Sequence, residues 1–166
     1  MTLTDLIITE IDFEMSNTRM TLELIPKDKL EWKPHFKSYS FAELGMHIGN
    51  LLIWAERTAR GNSYNTDSHE EDERTFSAAL SYGNILNNFD VKAAGARKSL
   101  SNLSDEQLSA SWTLLSGREI LFTLPRYFVI RQFIINHCIH HRAQLTVYLR
   151  LNDIPLPNLY GSTADR

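Results

Sequence analysis

The chain has 166 residues, 43% hydrophobic and 22% charged, which excludes a disordered, collagen-like or disulfide-dense protein and suits one domain over residues 1–166. Its 17 Lys and Arg against 20 Asp and Glu give a net charge of -3, so no general cationic field exists for a phosphate backbone and no nucleic-acid partner is expected. Cys138 is the single cysteine, Met1 to Asp5 lack a signal-peptide pattern, and Arg131, Gln132 and Asn136 interrupt the most apolar stretch. A cytoplasmic protein with no membrane span is therefore expected.

Apolar residues recur at helical spacing in four long segments, with only seven glycines and five prolines between them, so the chain reads as all-α. The first helix is expected over residues 3–24, carrying Leu3, Leu6, Ile7, Phe13, Met20 and Leu24 and ending before Pro26. Ser40, with Glu43 three positions on, has the form of a capping box and predicts a second helix from Phe41 to about Gly61. Residues 62–74 hold Asp67, Glu70, Glu71, Asp72 and Glu73 without an apolar period and read as a solvated loop. A third helix is expected from about Thr75 to Leu103, although Gly83 and Gly95 weaken it.

Ser104 to Gln107 predict a capped short turn, and Trp112–Leu115 with Glu119–Thr123 flank Ser116-Gly117-Arg118 as a small β-hairpin does. Pro125 suits the first turn of a last helix that runs to about Asn152. The tail from Ile154 to Gly161 contains two prolines, so it should be extended and lie back across the helices. Four apolar stripes are most simply buried as a four-helix bundle with the hairpin before its last helix.

Three histidines carry the chemistry. His137 and His141 stand one turn apart, about 40° from each other on the helical wheel, on a face shared with Ile130, Phe133, Ile134, Leu145 and Tyr148. His47 lies beside Leu44, Leu51 and Trp54 on the second helix and could meet that pair inside the bundle. Three imidazoles suit a divalent metal such as Zn²⁺ or Ni²⁺ and leave one coordination position for water or a substrate. Three unrelated core or surface histidines would have the same spacing, and the spacing alone does not separate the two readings.

The segments Glu43-Leu44-Gly45-Met46-His47-Ile48 and His137-Cys138-Ile139-His140-His141-Arg142-Ala143-Gln144-Leu145, with the closing run Ile154 to Gly161, resemble the DinB-like (DinB/YfiT-like) metalloprotein superfamily. The resemblance implies a four-helix bundle with His47, His137 and His141 as metal ligands. It also implies either thiol transfer, as in relatives that use bacillithiol or mycothiol, or metal-dependent hydrolysis. A low-molecular-weight thiol and an electrophilic small molecule are then the expected partners, with thiol transfer ranked first. A metal-binding stress protein without turnover is the third reading.

Among the neighbours, His140 competes with His141 as a ligand but is expected to orient the site or lie at the surface. His35 and His69 fall in expected loops, and Cys138 points about 100° from His137, as a packed free thiol would. Arg142 suits an anionic substrate or a neighbouring carboxylate, and Gln144 a hydrogen bond behind a ligand. Trp54 and Tyr148 either line an entrance or belong to the core. No Glu follows His137 as it would in HExxH, which weakens a protease-like reading. Phe128, Ile135 and Ile139 form a second apolar side of the last helix, from which a homodimer is expected.

Overall fold

A computed structural model describes residues 1–68 and 81–165. The expected start of the third helix at Thr75–Leu80, the acidic residues 70–73 and His69 lie outside the described residues.

Local capping sets most of the helix starts. Thr2 opens α1 (Leu3–Leu22): its hydroxyl accepts from the Asp5 amide at 3.0 Å, and the Asp5 carboxylate accepts from the Thr2 amide at 2.8 Å. The helix ends two residues earlier than expected, because the amides of Leu24 and Ile25 bond three residues back and tighten the last turn before Pro26. The Ser40–Glu43 box opens α2 (Phe41–Leu51) as read from the sequence. The expected continuation to Gly61 breaks once, at Leu52, before α3 (Ile53–Arg60). There the Leu52 amide bonds Gly49 and the Ala55 amide bonds Leu52, both three residues back.

Ser81 caps α4 (Tyr82–Ser101), whose two glycines do not interrupt it. The close approach of α2 to α4 needs glycine: a Cβ on Gly45 would stand 2.8 Å from Ile85 Cγ2, and one on Gly49 would collide with the Asn88 side chain. Ser104 and Gln107 box the short α5 (Asp105–Ser109), and the Asp105 carboxylate in turn accepts from the amides of Leu3 and Thr4 at the start of α1.

A three-stranded sheet sits beside the helices, with β1 (Ser63–Asn65), β2 (Ser111–Ser116) and β3 (Glu119–Pro125) in that order. The hairpin of β2 and β3 is the expected one, turning at Gly117 with φ +57, the positive value that the first position of a tight hairpin turn favours. The parallel strand β1 corrects the loop reading of residues 63–65. Three residues are too short to show a period, and the strand is held from outside: Asn65 donates to the Gly117 carbonyl at 2.8 Å and accepts from the Gly117 amide at 2.9 Å.

The last helix is not continuous. It runs as α6 (Arg126–Ile130), a π turn over Arg131–Ile135, and α7 (Asn136–Arg150). With α2 and α3 taken as one arm, α1 packs on α4 and α7, and α2 packs on the same two, so the four arms form a ring around one apolar core. No helix among the described residues is long and apolar enough to cross a membrane.

This ring removes the premise for the expected dimer face. Ile135 is fully buried within the chain and Ile139 is half-buried against the core, which leaves Phe128 exposed. The side of the last helix that looked uncovered is the side that α1 covers. Beyond α7, Asp153 takes φ +57, the Ile154 amide bonds back to the Leu149 carbonyl, and the tail lies across α1 as expected, its Leu159 carbonyl accepting from Asn17.

Candidate metal centre

The two arms that carry the histidines face each other because Ile48 and Leu44 on α2 and Leu145 and Tyr148 on α7 are buried in the shared core. His47 therefore meets the pair from α7. Its Nε2 lies 3.1 Å from His141 Nε2, which lies 3.0 Å from His137 Nε2, and one ligand atom from each lies within 4.8 Å of the others. A metal about 2.0–2.1 Å from each nitrogen needs neighbouring nitrogens roughly 2.8–3.4 Å apart, the range between octahedral and tetrahedral angles. The two pairs that His141 makes already stand at that spacing, and a shared ion would need His47 and His137, within 4.8 Å of each other, to close to it as well. His47 and His137 are half-buried, while His141 is buried.

Two groups behind the ligands turn the rings. Gln144 Oε1 accepts from His141 Nδ1 at 2.8 Å, and Gln144 Nε2 donates to His140 Nε2 at 3.0 Å. An Nδ1–H on His141 leaves its Nε2 lone pair for the centre of the cluster. The main chain of Phe133, inside the π turn, hydrogen-bonds the His137 ring. A π turn frees carbonyls from the ordinary helical ladder and is often found at functional sites.

Electrostatics favour uncharged ligands. His141 is pushed down to about 4, chiefly by burial; the Gln144 hydrogen bond pulls the other way, and the neighbouring histidines add smaller downward pushes. Burial also lowers His47, helped by His137, and lowers His137, helped by His140. All three rings are neutral near pH 7, the state that binds metal.

The other residues singled out in the sequence separate cleanly. His140 is exposed and stays outside the cluster, joined to it through Gln144 and by an edge-on contact of its ring with that of His141. His35 is an exposed loop residue whose Nδ1 accepts from the Lys37 amide. Cys138 is buried, its thiol is pushed up to about 12 by burial, and it donates to the Ile48 carbonyl, so it packs and is not a ready nucleophile. Tyr148 belongs to the core, with Trp32 and Phe41 against its ring, and Trp54 packs between Tyr64 and the core.

Arg142 takes the carboxylate alternative. It is buried, its Nη2 donates to Glu14 Oε2 at 2.6 Å, and Nη1 donates to the Glu14 carbonyl and Thr18 Oγ1. Tyr160 from the tail completes the group, bonded to Arg142 and donating to Glu14 Oε2 at 2.7 Å. Sequence reading missed Glu14, although the carboxylate stands in the Ile7–Ile11 stripe of α1, a charged residue on an apolar face. It also missed the Phe133 carbonyl, for which no side chain gives a signal.

Solved structures of similar fold come from two bacilli. A DinB-like protein from Bacillus cereus ATCC 10987 matches with a TM-score of 0.71 and 17% identity, over 93% of this chain and 95% of its own. The DinB-like YjoA of Bacillus subtilis matches with 0.70 and 21%, over 95% and 99%. YfiT of B. subtilis, described as a probable metal-dependent hydrolase with an unusual four-helix bundle topology, matches with 0.66 and 16%, over 92% and 89%. No curated protein matches by sequence. The profile of the DinB superfamily matches residues 10–145, a span that includes all three clustered histidines, and the chain belongs to that superfamily.

Proposed function

We propose that the protein holds a divalent metal, Zn²⁺ or Ni²⁺, on His47, His137 and His141 and acts as a thiol S-transferase, joining a low-molecular-weight thiol to an electrophilic small molecule. The donor set carries this reading: three neutral imidazoles cluster without a carboxylate among the described residues. When bound, the metal supplies a Lewis-acidic centre with an open position at which a thiol or water is deprotonated. The chain's own residues orient that centre, Gln144 through His141 and the Phe133 main chain through His137. The half-buried His47 and His137 leave the cluster open to small molecules. No Glu stands after His137 to take a proton from water, whereas a thiol with a pKa near 8.5 needs less help to ionise.

Hydrolysis is the second reading, supported by the likeness to YfiT, and a binding protein without turnover is the third. Elemental analysis of protein purified without added metal comes first, with single His47→Ala, His137→Ala and His141→Ala variants expected to lose most of the metal. Full metal stoichiometry in all three would overturn the site. Thiol conjugation and ester or amide hydrolysis are then assayed side by side on the loaded protein. A cobalt-substituted centre should change its visible spectrum on adding thiol, and one that excludes thiols supports a structural ion. The proposed setting is the reducing cytoplasm.

The homodimer is proposed on a different face from the one expected. Leu6, Phe13 and Met20 are exposed on α1 seven residues apart, and an antiparallel two-fold about Phe13 sets Leu6 of one copy against Met20 of the other. Light scattering should give a dimer that Phe13→Asp converts to a monomer, and a wild-type monomer at micromolar concentration rejects this face.

A further inference from the structure

Two arginines are buried among the described residues, and only one of them has a counter-charge there. Arg142 has Glu14. Arg126, where α3, α5 and the start of α6 meet, is 3% exposed, and the acceptors it meets are neutral. Its Nη1 donates to the Gln107 carbonyl at 2.6 Å, and its Nη2 donates to the Gly61 carbonyl at 2.7 Å and to Asn62 Oδ1 at 2.9 Å. Its Nε is buried with no partner among the described residues.

Burying a guanidinium without a counter-ion costs several kcal/mol, and the carbonyl ends of two short helices offset only part of that. Burial accordingly pulls Arg126 below its ordinary value. Arg126 lines a pocket of about 390 Å³, together with Arg60, Gly61, Asn62, Gln107 and Ala110. Arg126 lies eleven residues before His137, roughly 16 Å along the helix, so a ligand here is separate from the metal centre.

We propose that this pocket binds a small oxyanion, the carboxylate or phosphate group of a small molecule, which supplies the counter-charge that Arg126 lacks. The Asn62 side chain is the one acceptor on Arg126 that can swing aside, and an anionic oxygen taking its place makes the stronger, charge-assisted bond. Arg60 adds a second cation at the rim, and Glu106, also in the lining, opposes the ligand and tunes the affinity.

The test follows backbone amides of the full-length protein by NMR during titration with inorganic phosphate and, separately, with acetate, against chloride at equal ionic strength. Saturable shifts at Gly61, Asn62, Gln107 and Ala110 are expected. Tighter phosphate than acetate assigns a phosphate-bearing ligand, and the reverse a carboxylate. Glu106→Gln should tighten binding roughly two- to fivefold and Arg60→Gln should weaken it by a similar factor, whereas Arg126→Gln should abolish it. The two rim variants keep the test decisive should Arg126→Gln fail to fold. An absence of shifts, shifts confined to the neighbourhood of His47 and His137, or affinity unchanged in both rim variants would each show that Arg126 only clasps two helix ends.

Discussion

His141 and Arg142 are consecutive residues of α7, and they meet opposite fates. Arg142 turns toward α1, where Glu14, Thr18 and Tyr160 all bond its buried guanidinium. His141 turns toward α2, where its Nε2 faces only two other Nε2 atoms. The Glu14–Arg142 pair is complete within the chain, so its role is to hold α1, α7 and the tail together. The histidine cluster is not complete in this way: with the Nδ1 proton of His141 given to Gln144, its Nε2 has only a lone pair to turn to the other two rings. The proposed divalent cation would complete it. The helical offset of about 100° between neighbours thus places a structural clamp and the histidine cluster back to back.

The largest effect should come from breaking the clamp. Arg142→Ala or Glu14→Ala leaves a buried charge without its partner, and urea denaturation should show a loss of about 3–5 kcal/mol. Metal content per folded molecule should stay near that of the wild type. Loss of metal in proportion to stability would break the comparison, because the clamp would then also be setting the ligand geometry.

Acid should act on the other side of the helix. His141 titrates at about 4 in the folded protein against an ordinary 6.5. The unfolded chain therefore binds the proton first, and its contribution is complete above pH 6.5 and lost as the pH falls toward 4. For the metal-free protein this amounts to about 3 kcal/mol over that window. His47 and His137 shift in the same direction. Denaturation at a series of pH values should show this slope in the wild type and a flatter one in His141→Gln. Equal slopes would mean that His141 is not held neutral by its surroundings.

The groups behind the ligands sharpen the comparison further. Gln144→Ala removes the acceptor on His141 Nδ1 and should weaken metal binding roughly 10- to 100-fold in competition with a chelator. Gln144→Glu keeps an acceptor there and should retain most of the affinity. If both variants bind like the wild type, the His141 ring is oriented by packing alone.

Where the sequence was legible, the signal was local. The Ser40–Glu43 box, the Ser104 turn, the Gly117 hairpin and the His137–His141 spacing each lie within a few residues, and each is found in place. The position of His47 opposite that pair needed two helices to meet, which their apolar faces indicated. What escaped depends on distant partners or on the backbone. β1 is three residues held by Asn65 against a turn 52 positions away. The π turn has no proline or glycine to announce it, and the second apolar side of the last helix is covered by α1, a distant partner that the wheel does not show. Glu14 was visible as a misfit in an apolar stripe, but its partner Arg142 lies 128 residues on.

The smallest effect tests the clamp without touching either cluster. Asp153 sits at φ +57 where α7 gives way to the tail, and the Ile154 amide bonds the Leu149 carbonyl across that turn. A left-handed conformation is disfavoured for a residue with a Cβ, though less so for aspartate, and glycine adopts it freely. The Asp153 carboxylate contributes only weakly to Arg150, whose guanidinium is held by Asp165 at 2.6 and 2.9 Å. Asp153→Gly should therefore stabilise the protein by about 0.5 kcal/mol, read as a rise in denaturation midpoint with no change in metal affinity. The tail would enter its path toward Tyr160 and Arg142 with less strain, while the histidines on the opposite face keep their geometry. A loss of stability would show that the entropy glycine adds to the unfolded chain outweighs the relief at this turn.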